Sequence, residues 1–261
     1  MYRNQYDTDV VTWSPQGRVF QIEYAMEAVK QGTAVIGARN NDIVVLACIK
    51  RNISKLAGFQ KKLYKIDDHI GAAMSGITAD AKVLCSYLRY ECLNHSFTFD
   101  SPMPLSRLVS NMGLKSQICT QEYGRRPFGV GLLIAGYDQD GPHLYETCPS
   151  GNYFEYYAMA LGSRCQAGKT YLERHFEEFN SCNKDHLILH TLKALKACLS
   201  SDQDMNKQNV DVAIVGRNCP YIELSEDEIM EYLQIISQEA SPIINQVDET
   251  NNEEPTSMQL D

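Results

Sequence analysis

Residues 33–48 read TAVIGARNNDIVVLAC, and this stretch decides the fold. Two β-rich runs, Thr33–Ala38 and Ile43–Cys48, flank the turn-forming group Arg39-Asn40-Asn41-Asp42. Valine and isoleucine suit pleated backbone, while Asn and Asp tolerate the dihedrals of a tight turn, so the stretch predicts a β-hairpin. Neither run alternates apolar with polar residues. Near-continuous apolar strands imply a sheet covered on both faces.

Working outward, Ser14-Pro15-Gln16-Gly17 is turn chemistry, and Val19, Ile22, Met26 and Val29 then recur at helical spacing up to Gly32. Downstream, Lys62–Ile66 and His69–Met74 repeat the hairpin signal around Asp67-Asp68. Two helices follow. One starts at Thr78 as its N-cap and carries Ala81, Leu84, Leu88 and Cys92; the other spans Pro104–Gln121 with Leu105, Leu108, Val109 and Met112. A strand from Phe128 turns at Gln139–Pro142 into His143–Thr147. Helical spacing returns at Gln166–Phe179 and through Ile188, Leu192, Leu195 and Leu199. Strands Val210–Val215 and Tyr221–Leu224 come next, then a helix through Ile229, Leu233 and Ile236. Hairpins separated by helix pairs, rather than β-α-β alternation, predict an α+β fold: a four-layer α-β-β-α sandwich of two antiparallel sheets flanked by helices.

The 261 residues are 44% hydrophobic and 22% charged, as in ordinary globular domains. Of the 33 carboxylates, 11 fall within Glu223–Asp261, which has no Lys or Arg, so residues 1–222 hold 22 against 24 bases. Residues 1–240 are therefore expected to form one domain, and 241–261 an acidic, disordered tail. A net charge of −9 has the wrong sign for a protein that neutralises phosphates, which argues against nucleic acid as a partner. No apolar run approaches the roughly 20 residues of a membrane span, and the N-terminus lacks a signal peptide's apolar core. Nine cysteines with no C-x-x-C pair suggest reduced thiols and no zinc ribbon. Cytoplasm and nucleus are the expected locations.

Several chemical motifs fall short. Gly162–Thr170 (GSRCQAGKT) has five residues between its glycines where a phosphate-binding loop needs four, and no strong strand leads into it. His186 and His190 stand at i, i+4 without the Glu of H-E-x-x-H, so neither a metal nor a cofactor is expected. Thr33 opens a strand, and a threonine can use its own α-amine as base when that amine is free. Here 32 residues precede it. Tyr6, Asp7, Pro15 and Tyr24 form a polar-aromatic set around the first turn and helix.

These residues carry a resemblance. Tyr6-Asp7, Ser14-Pro15-x-Gly17-Arg18 and Gln21-x-Glu23-Tyr24-Ala25-x-x-Ala28 resemble the N-terminal signature of 20S proteasome alpha subunits. So do Ser75-Gly76-x-Thr78-Ala79-Asp80-Ala81, Tyr123-Gly124-x-Arg126-Pro127-x-Gly129-Val130 and Ala135-Gly136-Tyr137-Asp138-x-x-Gly141-Pro142. The resemblance implies the same α-β-β-α sandwich and a noncatalytic subunit of a threonine-protease complex. It further implies a seven-membered ring of alpha subunits stacked on beta subunits. Residues 1–17 would be a gate tail and 18–30 a helix at ring contacts, with Tyr6, Asp7, Pro15 and Tyr24 as the open-gate cluster. Thr8 stands where many alpha subunits have Arg.

Against the catalytic pattern of beta subunits, Thr33 matches the nucleophile, Lys62 the catalytic lysine and Asp211 a supporting aspartate. Ile49 replaces an expected acid. In alpha subunits Lys62 and Gly76 match a pocket in which a flexible lysine pairs with the C-terminal carboxylate of an activator or regulatory particle. Two other readings compete: an autonomous threonine hydrolase maturing at Thr33, and a free-standing adaptor.

Overall fold

The hairpin is present: β1 (Val35–Arg39) pairs antiparallel with β2 (Ile43–Ile49), Val35 opposite Cys48 and Arg39 opposite Val44. Its turn is tied by Asn40, whose side-chain oxygen accepts from the amides of Asp42 (2.9 Å) and Ile43 (2.7 Å). The structure, a computed structural model, describes residues 5–52, 54, 56–200 and 204–239. The acidic segment 241–261 lies outside the described residues.

The remaining elements are α1 (Phe20–Gln31), β3 (Leu63–Asp67), β4 (Ile70–Gly76), α2 (Thr78–Phe99), α3 (Leu105–Gln121), β5 (Val130–Asp138), β6 (Gly141–Thr147), β7 (Tyr153–Glu155), β8 (Ala158–Leu161), α4 (Cys165–Arg174), α5 (Phe176–Phe179), α6 (Lys184–Ala197), β9 (Val210–Gly216), β10 (Cys219–Glu223) and α7 (Glu226–Glu239). One sheet has the order β10-β9-β2-β1-β8 and the other β3-β4-β5-β6-β7, antiparallel throughout.

Three apolar layers account for four structural ones. Val35, Val44, Leu46, Leu63, Leu133, Leu144 and Val215 come from both sheets and form the layer between them. Ile36, Val45, Leu172, Leu187, Leu192, Leu195 and Ile229 pack α4, α6 and α7 on the first sheet. Ala72, Met74, Leu84, Leu88, Leu108, Met112 and Ile134 pack α2 and α3 on the second. Adjacent residues of β1 and β2 point into different layers, which is why neither strand alternates with polar residues.

Three expectations need correction. Thr78 is the first helical residue of α2, and Ile77 holds the N-cap position without a side-chain cap bond. On α1 the buried residues are Ala25 and Val29; Met26 faces out with Tyr24, because the helix meets β4 and β5 over a stripe too narrow for the whole apolar set. Finally, β8 does lead straight into Gly162. At four residues, its signal is too short to separate from the surrounding loop.

One buried charge ties two segments together. The carboxylate of Asp80, in the first turn of α2, accepts from Arg126 Nη1 (2.7 Å), Arg126 Nη2 (2.8 Å) and the Gly129 amide (2.9 Å). The Arg126 hydrogen bonds are the main reason its carboxyl lies below the usual range. The stability this provides is complete above the ordinary carboxylate range and is lost as pH falls through the lowered value. Asp80→Asn is expected to cost about 1–2 kcal/mol at neutral pH, since the forked pairing is lost while Arg126 itself stays largely solvated. A denaturant midpoint unchanged from wild type would contradict this.

Candidate functional site

One end of the sandwich collects the residues expected to carry chemistry. Thr33 precedes β1, Ile49 ends β2, Lys62 precedes β3, Gly76 ends β4 and Asp211 lies in β9 opposite Cys48. Antiparallel pairing brings these strand ends to one place although up to 178 positions separate them in sequence.

At the centre is the Gly32–Thr33 peptide. The Gly32 carbonyl accepts from the Ser163 amide (2.6 Å), and the Thr33 carbonyl accepts from Lys62 Nζ (2.8 Å). The Thr33 hydroxyl donates to the Ile49 carbonyl (2.7 Å) and accepts a further short bond from Lys62 Nζ. Ser75 Oγ donates to Val29 O (2.9 Å) at the end of α1. Gly162 (φ +97°) gives the room required: a Cβ there would sit 2.6 Å from Thr33 O and 2.8 Å from Gly32 O. Ser163 therefore spends its amide on the chain itself. That, rather than the absence of a strand, removes the phosphate-loop reading of Gly162–Thr170.

Lys62 is 3% exposed. Its oxygen partners are a carbonyl and a hydroxyl, and no carboxylate pairs with it among the described residues. Burial pulls its pKa down from 10.5 to about 8. The flexible lysine that the resemblance implies is thus replaced by a buried ammonium held in place. Asp211 is committed elsewhere, to Lys50 at 2.7 Å. Ile49 offers the site only a backbone carbonyl and an apolar side chain, so the carboxylate missing at that position is not supplied by Asp211.

A cavity of about 550 Å³ opens beside this peptide, lined by Gln31, Thr33, Ile49, Lys50, Phe59 and Ser163 among others. Thr33 borders it, yet the Thr33 nitrogen belongs to an amide and has no basic lone pair. Hydroxyl, lysine and cleft are all present; the Thr33 nitrogen is not a free amine, and no orienting acid pairs with Lys62 among the described residues. This arrangement can hold a backbone segment in place, but it lacks the base that threonine catalysis requires.

The N-terminal set is partly assembled. Tyr24 OH donates to Asp7 Oδ2 (3.2 Å), and Gln21 Nε2 makes a short bond to the Asp7 carbonyl. Arg18 forks onto Glu23 (Nε to Oε1, 2.7 Å, with a second, shorter bond) and lies over the Phe20 ring at 4.9 Å. Ser14 closes the intervening turn by accepting from the Gly17 and Arg18 amides at 2.9 and 3.1 Å. Asp7 and Tyr24 are therefore brought together, while Tyr6 (half-buried) and the exposed Pro15 flank them without a hydrogen bond to them among the described residues.

Sequence reading overlooked two pairings. Asp80 with Arg126, 46 positions apart, lay unread inside two recognised motifs, and Lys50 with Asp211 had no local signal. The i, i+4 histidines form no site of their own: His186 is exposed and His190 turns to other partners.

Comparison with known proteins agrees with this geometry. Residues 29–215 match the proteasome subunit family, and residues 6–28 match the N-terminal signature of proteasome subunits of the alpha type. The chain belongs to the proteasome subunit family. The run Arg3–Asp7 with Trp13–Arg18 also resembles the eukaryotic alpha type-1 member, and similar proteins carry that name. Proteasome subunit alpha type-1 of Dictyostelium discoideum is 48% identical over 260 residues, 99% of each chain. Those of Trypanosoma brucei rhodesiense and Drosophila melanogaster are 50% and 47% identical over 89% and 90% of this chain, and 88% and 85% of their own. Alpha-type subunits form the noncatalytic ring of the proteasome 20S core.

Proposed function

We propose that this chain holds one position in a seven-membered alpha ring capping the beta rings of a 20S core, in cytoplasm and nucleus. There it helps to gate substrate entry and to dock activators in ubiquitin-dependent and ubiquitin-independent degradation. The observation that carries the docking reading is the buried Lys62 ammonium, which has neutral oxygens as partners and no carboxylate among the described residues. A desolvated cation without a counter-ion is costly, and an arriving C-terminal carboxylate is the group that relieves it. Gly76 lies alongside: a Cβ on Gly32 would approach the Gly76 amide to 2.5 Å.

The tethered N-terminus supports the gating reading. Tyr24 and Gln21 anchor the tail at Asp7 on a helix whose outer face carries Tyr24 and Met26, apolar surface suited to neighbouring subunits.

The test uses Lys62→Met, which keeps the apolar stem and removes the charge. In reconstituted particles of normal composition, a tail-bearing activator at limiting concentration should stimulate peptide hydrolysis at least about tenfold less, because one charge-assisted contact contributes about 1.5–3 kcal/mol. Stimulation equal to wild type at every activator concentration would leave this pocket without a docking role.

A further inference from the structure

Away from the strand ends, the helical layer on the first sheet carries a second chemical cluster. His175 follows α4, Glu178 lies three residues on within α5, and His190 projects from α6. His175 Nδ1 is 3.0 Å from Glu178 Oε1, and His190 Nε2 is 3.3 Å from Glu178 Oε2. All three ligand atoms lie within 4.8 Å of one another. A tetrahedral zinc ion bound at about 2.0–2.1 Å would separate its ligand atoms by roughly 3.3–3.4 Å. Both histidine–carboxylate separations are already close to that spacing.

The surroundings fit an ion as well. Tyr171 OH lies 3.1 Å from His190 Nδ1, on the far side of the ring from Glu178. A Tyr oxygen accepting from Nδ1–H fixes the tautomer whose Nε2 lone pair faces the cluster, the outer-shell arrangement found at metal-bound histidines. Tilted contact of His175 with Tyr171 (4.4 Å) and edge contact of His190 with Phe179 (5.7 Å) hold both rings. Glu178 is the open side, with about half its side chain exposed, leaving a path for the ion and room for water as further ligand. Lys193 also acts on this carboxylate and weakens the attraction for a cation.

We propose that His175, Glu178 and His190 bind one divalent ion of the zinc class, clipping the α4–α5 turn to α6. Two imidazoles and one carboxylate are a zinc-type donor set; magnesium and calcium favour oxygen ligands. This replaces the expectation that the chain holds no metal. That expectation rested on the absence of C-x-x-C pairs and on the spacing of His186 and His190, whereas the geometry joins His190 to a segment 12–15 positions upstream.

Titration of the full chain with Co²⁺, followed by displacement with Zn²⁺, tests the site. The expected result is one equivalent at micromolar affinity, with visible ligand-field bands and no near-UV thiolate charge-transfer band, a band that would betray binding by the nine cysteines. Affinity should fall at least about tenfold in both His190→Ala and Glu178→Gln. Because His190 is packed against aromatic rings, Glu178→Gln is the variant whose fold is not in question. Zn²⁺ should also raise the melting temperature of the wild type and not that of Glu178→Gln. A thiolate band, an undiminished affinity in Glu178→Gln, or no binding at 100-fold excess over micromolar Co²⁺ would each overturn the proposal.

Discussion

Gly76→Ala is expected to destabilise the chain by about 3 kcal/mol or more, enough to abolish recovery of folded protein from a marginally stable domain. Gly76 ends β4 at φ +116°, a backbone region that L side chains rarely adopt. An added Cβ would also run into the Gly129 carbonyl and lie 3.0 Å from Val130 Cα. Neither is the movable tip of a side chain: both belong to the backbone entering β5, which is registered against β4 from Ile70–Gly136 to Gly76–Val130. Relief would have to shift a central strand pair, and with it Ser75, whose hydroxyl reaches Val29 O at the end of α1. Urea titration of the soluble fraction measures the effect. A midpoint within experimental error of wild type would show that the strand end yields without cost.

The second large effect depends on pH. The Lys62 pKa is about 8 in the folded chain and 10.5 in an unfolded one, so below pH 8 the fold carries a penalty of about 3 kcal/mol for keeping this ammonium out of water. Between pH 8 and 10.5 the unfolded chain binds more protons than the folded one, and stability from this group rises with pH. Buried thiols act in the opposite direction: Cys48, pushed up to about 12, disfavours folding as the unfolded thiol ionises. Subtracting the unfolding free energy of Lys62→Met from that of wild type at each pH isolates the lysine. The difference should move in favour of wild type by about 3 kcal/mol from pH 7.5 to pH 10.5. A flat difference would mean that Lys62 retains its ordinary basicity, and the case for a missing counter-ion would fail with it.

The layer architecture was legible because it rests on short-range patterns. Asn40-Asn41-Asp42 between two apolar runs already specifies the first hairpin, and the long stripe from Ala81 to Cys92 already specifies a helix buried on one side. The strands missed, β7 and β8, have three and four residues, too few for period-two burial to register. The first turn of α2 was misread at Thr78 because a hydroxyl residue beside a helical pattern has the form of a cap whether or not it makes the bond.

Site residues were legible only in part, for a different reason. Thr33, Lys62 and Ile49 could be named from likeness, but burial of the Lys62 ammonium depends on Thr33 and on the sheets closing around both. Likewise, nothing local to Asp211 tells whether it serves Lys62 or Lys50; that is decided by the register of β2 against β9, which sets it beside Cys48 and within reach of Lys50. Asp80 with Arg126, and His190 with Glu178, are pairings across elements and have no one-dimensional signature.

Everything proposed about function depends on the Gly32–Thr33 bond remaining closed while the chain sits in a large assembly. Intact-mass and N-terminal sequencing of this chain, taken from the native high-mass protease fraction, tests that directly. The expected chain retains the segment containing Tyr6, Asp7 and Tyr24 and comigrates with proteasome beta subunits. A chain beginning at Thr33, or one recovered only as a free monomer, would contradict it.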